Sequence, residues 1–237
     1  MSSTPTGPPA FERHFAAVDP LPGWLTEAQA RLLWDEVRAL PARPRVLEVG
    51  SHHGRSTMVL AGARDDVEVV AVDPFVGGKF GGSASRSAFE SNVAAFGLGD
   101  RVRLLVARSD DVRAAWTEPL DLVYVDGKHD ARSTTHDLRW AEHLRPGGRV
   151  LVHDAFSSVG VTLALLRHLL PGSRLRYLGR VGSLAAFDRE PPDRSTRLRL
   201  LGELPWWLRN VVVKVLLRLR LRWAAGRLGH HDTWDPF

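Results

Sequence analysis

Short aliphatic runs recur along the chain at 46–49, 67–72, 102–106, 120–125 and 150–152. They are continuous rather than strictly alternating, which suits strands buried on both faces. Helix-compatible segments separate them at 56–63, 85–96, 110–116 and 132–144, and these supply the crossovers that parallel strands need. A further helix is predicted over 159–170, then two strands at 174–178 and 184–187, close enough to pair antiparallel. The expected fold is α/β: a doubly wound, mostly parallel seven-stranded Rossmann-like sheet with an antiparallel last pair.

Ahead of the sheet, 26–40 reads as an amphipathic helix. Thr26 is its N-cap with Gln29 three residues on, and Pro41 and Pro44 stop it. Residues 1–20 are expected to be a flexible arm, 21–188 the folded domain and 189–237 a basic C-terminal extension, with 189–198 as polar linker. Within that extension 206–228 patterns as a helix. Leu208, Val212, Val215, Leu216, Leu219 and Trp223 share one face with basic flanks. Contact with an anionic membrane, with the core or with a second copy would each use such a face. The alternation over 217–222 also suits an edge strand.

Charge sharpens this division. The net charge is +5, yet 194–227 holds nine Arg or Lys against one acid, so the basicity belongs to the extension. Only three of the 32 basic residues are Lys, a bias unlike selection for phosphate contacts, and no nucleic-acid partner is expected. The absence of cysteine excludes disulfides, thiolate metal sites and a cysteine nucleophile. The opening residues lack an apolar signal core, and no apolar window is long enough for a spanning helix, so a cytoplasmic location is expected.

In such a sheet, ligands bind beyond the carboxyl ends of the strands. The first strand runs into Glu48-Val-Gly50-Ser51-His52-His53-Gly54-Arg55-Ser56. Gly50 and Gly54 permit a tight turn close to a ligand, and Ser56 is placed to cap the next helix. The spacing is not G-x-G-x-x-G, and Glu48 puts an anion where a pyrophosphate would lie. It suits a cationic ligand without phosphate, such as S-adenosylmethionine. Asp73, ending the second strand, is placed for ribose hydroxyls, although Asp before Pro also makes turns. Ser109, ending the third, either caps a helix or meets the adenine edge. The glycine-rich stretch 76–83 could serve as a lid or as a plain surface loop. Asp126 and Asp154 end the fourth and fifth strands at one edge of the sheet. Two carboxylates there would hold a divalent cation such as Mg2+; the alternative is that Asp126 caps and Asp154 binds backbone. His129 follows Asp126 and is a candidate proton acceptor.

These blocks, E-V-G-S-H-H-G-R-S-T, V-D-P-F and D-L-V-Y-V-D-G-K-H-D with L-R-P-G-G-R-V-L-V-H-D, resemble class I S-adenosylmethionine-dependent methyltransferases. Within them they are similar to the small O-methyltransferases of the catechol and macrocin type. The resemblance covers 45 to about 188. It implies methylation of a hydroxyl on a small acceptor such as a sugar, polyketide or lipid-linked molecule. It also implies S-adenosyl-L-methionine bound at Glu48, Gly50, Ser51, Gly54, Ser56, Asp73, Ser109 and Asp110, catalysis by His129 and Asp126, and a metal at Asp126 and Asp154. The chain departs from the metal-dependent pattern at His153-Asp154-Ala155, where one expected oxygen ligand is missing or replaced by imidazole. Other readings of the residues are a nicotinamide oxidoreductase on the same architecture and an inert methyltransferase-like domain recruited to membranes.

Overall fold

A computed structural model describes residues 10–76, 82–169 and 172–230. The sheet contains β1 (Arg45–Val49), β2 (Glu68–Val72), β3 (Val102–Leu105), β4 (Leu120–Val125), β5 (Leu144–Val152), β6 (Arg176–Val181) and β7 (Leu184–Asp188). Its order is β3-β2-β1-β4-β5-β7-β6. The β3-β2-β1-β4-β5 pairs are parallel. β7 is antiparallel to both β5 and β6. The expected seven-stranded fold is therefore present.

The continuous aliphatic runs arise because alternate residues feed two cores. Val46, Val69, Leu122, Tyr124 and Leu151 face one. Leu47, Val70, Val123, Val125 and Val150 face the other. Side chains alternate across a strand, so a strand covered on both sides is apolar at most positions.

The first core is covered by α1 (Ala10–Val18), α2 (Glu27–Arg38) and α3 (Arg55–Gly62). Thr26 and Gln29 form the predicted capping box on α2. The expected arm over 1–20 is corrected for its second half. Phe11, Phe15 and Val18 recur at helical spacing and are buried, so α1 is a core element. The polar, proline-rich stretch before it hid that period.

The second core is covered by a 3-10 turn (Leu138–His143), which follows α6 (Ala131–Asp137), and by α7 (Val159–Leu166). β5 begins earlier than predicted and runs through the Pro146-Gly147-Gly148 turn signal, with a register irregularity against β4. The remaining helices are α4 (Ser83–Ala95), α5 (Ser109–Ala114), α8 (Arg194–Gly202), α9 (Leu204–Arg218) and α10 (Arg222–Arg227).

The polar linker expected over 189–198 is also corrected. Asp193 caps α8 by accepting the Thr196 N–H at 2.7 Å, so the helix starts inside it. Nor is the extension detached. Trp206 and Trp207 pack on the second core, and Asn210 is fully buried, donating to the Phe156 carbonyl at 3.2 Å.

Candidate functional site

The strand order reverses between β1 and β4, which opens a crevice at their carboxyl ends. The backbone closes the floor of this crevice. The Gly50 N–H donates to the Val72 carbonyl at 3.0 Å and the Asp126 N–H to the Val49 carbonyl at 2.8 Å. Gly50 has φ of +86°, and a Cβ there would stand 2.2 Å from the Asp126 carbonyl oxygen. No other residue fits at that approach.

Asp73 fixes the loop after β1. Its Oδ2 accepts the Ser51 and His52 N–H groups at 2.9 and 3.0 Å, and its Oδ1 accepts the Phe75 N–H at 2.7 Å. A carboxylate oxygen has two lone pairs, so Oδ1 retains capacity for one ligand hydroxyl.

Glu48 is placed differently from expectation. It is fully buried, and its two oxygens accept the Ser56 and Thr57 hydroxyls. It braces the first turn of α3 from below instead of lining the crevice. Ser56 correspondingly lies inside α3 and does not cap it; Gly54, with φ of +87°, holds the N-cap position. Burial pushes the Glu48 carboxyl up to about 7, against the hydroxyl donors that lower it.

Unfolded Glu48 ionises near 4.5 whereas folded Glu48 resists until about 7, so ionisation favours the unfolded chain and stability falls as pH rises across that window. Glu48→Gln removes this dependence. It is expected to match the parent at acid pH and to exceed it by about 3 kcal/mol at alkaline pH, as a carboxyl shift of this size implies. Urea unfolding at both pH extremes checks this; a parent more stable than the variant at alkaline pH contradicts it.

Ser109 does not cap α5 as expected, being the first residue of that helix. Its hydroxyl accepts the Trp140 indole N–H at 2.8 Å, and it makes no cap bond to α5. Asp110 Oδ2 stands 3.4 Å from His136 Nδ1. The stretch 76–83, the candidate lid, falls largely outside the described residues.

The chemistry converges after β4 and β5. His129 Nε2 lies 3.5 Å from Asp126 Oδ1, and its Nδ1 lies 3.0 Å from Asp154 Oδ2. His153 Nδ1 lies 3.3 Å from the same Asp126 oxygen. The Tyr124 hydroxyl donates to Asp126 Oδ2 at 3.1 Å, and the Ser157 hydroxyl to Asp154 Oδ1 at 3.0 Å. Burial opposes a charged imidazole at His129, but Asp126 and Asp154 outweigh it, so its pKa is raised above the ordinary 6.5. Burial likewise works to raise Asp126; His153 and His129 reverse that and hold it well below the usual carboxylate range.

Nothing in this arrangement supports the expected divalent cation. Each of the four oxygens of Asp126 and Asp154 already faces an imidazole or a hydroxyl. Among the described residues, no group of three or more His, Cys, Asp or Glu is placed to hold a metal ion. The arrangement therefore lends no support to Asp126 and Asp154 as metal ligands. They orient imidazoles, and the His153 substitution that the sequence flagged supplies one of them.

The sequence did not flag Tyr124, a buried core residue of an aliphatic strand whose hydroxyl reaches Asp126. It also missed Lys214 of α9, whose Nζ donates to the Ser157 carbonyl at 2.7 Å, beside the turn that carries Asp154. Arg55 was missed as well. It is nearly buried and donates to the Leu25 and Leu21 carbonyls at 3.1 and 2.7 Å, tying the α1–α2 connection to the crevice loop.

Residues 47–155 match the family model of a methyltransferase domain. Solved structures share the fold. Cofactor-bound Rv0187 from MTB is 24% identical, with TM-score 0.58, over 78% of this chain and 91% of that one. The O-methyltransferase of Bacillus cereus in complex with SAH is 22% identical, with TM-score 0.54, over 75% and 88%. The O-methyltransferase TomG of Streptomyces achromogenes, involved in tomaymycin synthesis and solved with SAM, is 22% identical, with TM-score 0.52, over 77% and 88%.

Proposed function

We propose, for a chain that carries a methyltransferase domain of the class I fold, that it moves the methyl group of S-adenosylmethionine to a hydroxyl of a small molecule. His129 is the proton acceptor in this reading, and no cation is required. One observation carries it: an imidazole held between two carboxylates, at 3.5 and 3.0 Å, beside the β1 turn of the crevice. The family match and the SAM- and SAH-bound fold relatives support the cofactor. The departure from G-x-G-x-x-G argues against a dinucleotide.

The residues present fit such a cofactor. The Gly50–His53 backbone has no side chain blocking its first residue. Asp73 keeps acceptor capacity for a ribose hydroxyl, and Asp126 offers a partly exposed carboxylate toward an ammonium group. When bound, S-adenosylmethionine supplies a methyl already activated by its sulfonium. What remains for the protein is to align an acceptor oxygen and take its proton, and alignment alone is worth several kcal/mol. His129 presents the base. Asp154 orients the ring and Asp126 stabilises the imidazolium that forms.

The test is calorimetry with S-adenosylmethionine on the parent and Asp73→Ala, followed by transfer of labelled methyl to a panel of hydroxylated acceptors with and without EDTA. Micromolar-range binding lost in Asp73→Ala, and turnover insensitive to EDTA, are expected. Binding of NAD in place of S-adenosylmethionine overturns the cofactor; turnover abolished by EDTA and restored by Mg2+ overturns the metal-free base.

A further inference from the structure

Leu208, Val212, Val215 and Leu219 lie at i, i+4, i+7 and i+11 along α9 and its C-cap and form a single stripe. The opposite face supplies Asn210 and Val213 to the protein interior. The stripe itself faces solvent: Leu208 is 56% and Leu219 63% exposed, and Trp223, on the separate helix α10 that folds back beside α9, is 65% exposed. Burying such residues is worth roughly 1.5–3 kcal/mol each, so a partner surface for the stripe would be strongly favoured.

The charge around the stripe selects the partner. From Leu204 to Gly229 the chain carries six Arg or Lys and no acid. Arg218, Arg220, Arg222 and Arg227 are exposed, and the Arg227 guanidinium lies over the Trp223 ring. A second copy pairing through this patch would set like charges against each other, because a two-fold interface repeats one patch on both sides. An anionic lipid surface offers opposite charge to the flanks and an apolar layer to the stripe. No described helix is long and apolar enough to cross a membrane, so α9 would lie in the surface plane.

We propose that α9 and α10 dock this protein onto an anionic lipid bilayer, with the Leu208–Leu219 stripe and Trp223 facing the lipid. This rests on the exposed face alone and stands whether or not methyl transfer is the activity. The inner side of the same helix bonds the 156–157 segment through Asn210 and Lys214, so docking sets the Asp154 turn about one helix diameter, roughly 10 Å, from the headgroups.

Flotation of the full chain with phosphatidylcholine vesicles, with and without phosphatidylglycerol, tests it. Binding to the phosphatidylglycerol vesicles alone is expected, weakened by high salt. Two surface variants report on the two components: Leu219→Glu removes an apolar anchor and Arg218→Glu reverses a flanking charge. Each is expected to lower partitioning about tenfold or more with an unchanged circular dichroism spectrum. No flotation of the parent, or flotation of both variants equal to the parent, overturns the proposal. So does a parent dimer in sedimentation that Leu219→Glu converts to monomer without any lipid binding; that result assigns the face to a second copy.

Discussion

Alanine at His129 is expected to lower kcat for methyl transfer by about 10²- to 10⁴-fold, the usual contribution of a positioned general base. Affinity for S-adenosylmethionine should change little, because the loop after β1 and Asp73 do not lean on this ring. The pH profile separates a base from a scaffold. A base must be neutral to act, and Asp126 and Asp154 raise the His129 pKa above its ordinary 6.5. The parent's kcat should therefore climb with pH through a limb lying above that value and then level off. Asp154→Asn withdraws one of the anions that favour the imidazolium. It should shift the limb to lower pH while reducing the plateau, because ring orientation is also lost. Single-turnover rates across the pH range check both statements. A flat profile in the parent, or a His129→Ala enzyme within about threefold of it, removes the histidine from the chemistry.

Gly50→Ala is expected to be the most damaging small substitution in the crevice. The added methyl would meet the Asp126 carbonyl at 2.2 Å, and the clash is with backbone that cannot rotate away. A positive φ adds about 1–2 kcal/mol for a residue with a Cβ. The only relief is to part β1 from β4 at their carboxyl ends, where the Asp126 N–H bonds the Val49 carbonyl at 2.8 Å. We expect loss of at least about 3 kcal/mol of stability, in the upper range for point substitutions, and loss of cofactor binding even where the variant folds. Gly97→Ala is a control for backbone strain without crowding: its φ is +64°, and a methyl there would meet nothing within 4 Å. It should cost about 1–2 kcal/mol and leave binding intact. Chemical unfolding and calorimetry on both variants measure the difference; equal losses would show that strain, not the close approach, governs Gly50.

The fold was readable because a sheet covered on both sides favours apolar residues at most strand positions. The runs around Val46, Val69 and Leu122 therefore stood out without any tertiary knowledge. Thr26 and Gln29 announced the start of α2 because a capping box is a local interaction. α1 was not readable, since Phe11, Phe15 and Val18 occupy too short a span to establish a period beside a proline-rich stretch. The start of α8 was obscured by polar residues that look like linker until Asp193 is seen to cap them.

At the site, local chemistry again marked the positions that backbone geometry constrains: Gly50, Asp73, Asp126, His129 and Asp154 all lie at or just beyond strand ends, where the chain must turn. Their partners were another matter. Glu48 carried a charge that suggested a ligand, and only its burial beneath α3 shows that it holds Ser56 and Thr57. The carboxylate pair suggested a cation, and only the convergence of His129 and His153 shows both acids already engaged. Composition and spacing determined the strands, the turns and the edge of the sheet where chemistry collects, because those depend on residues near in sequence. The tertiary structure decided which charges meet which, since Asp126 and Asp154, or Lys214 and Ser157, are neighbours only after distant elements have packed together.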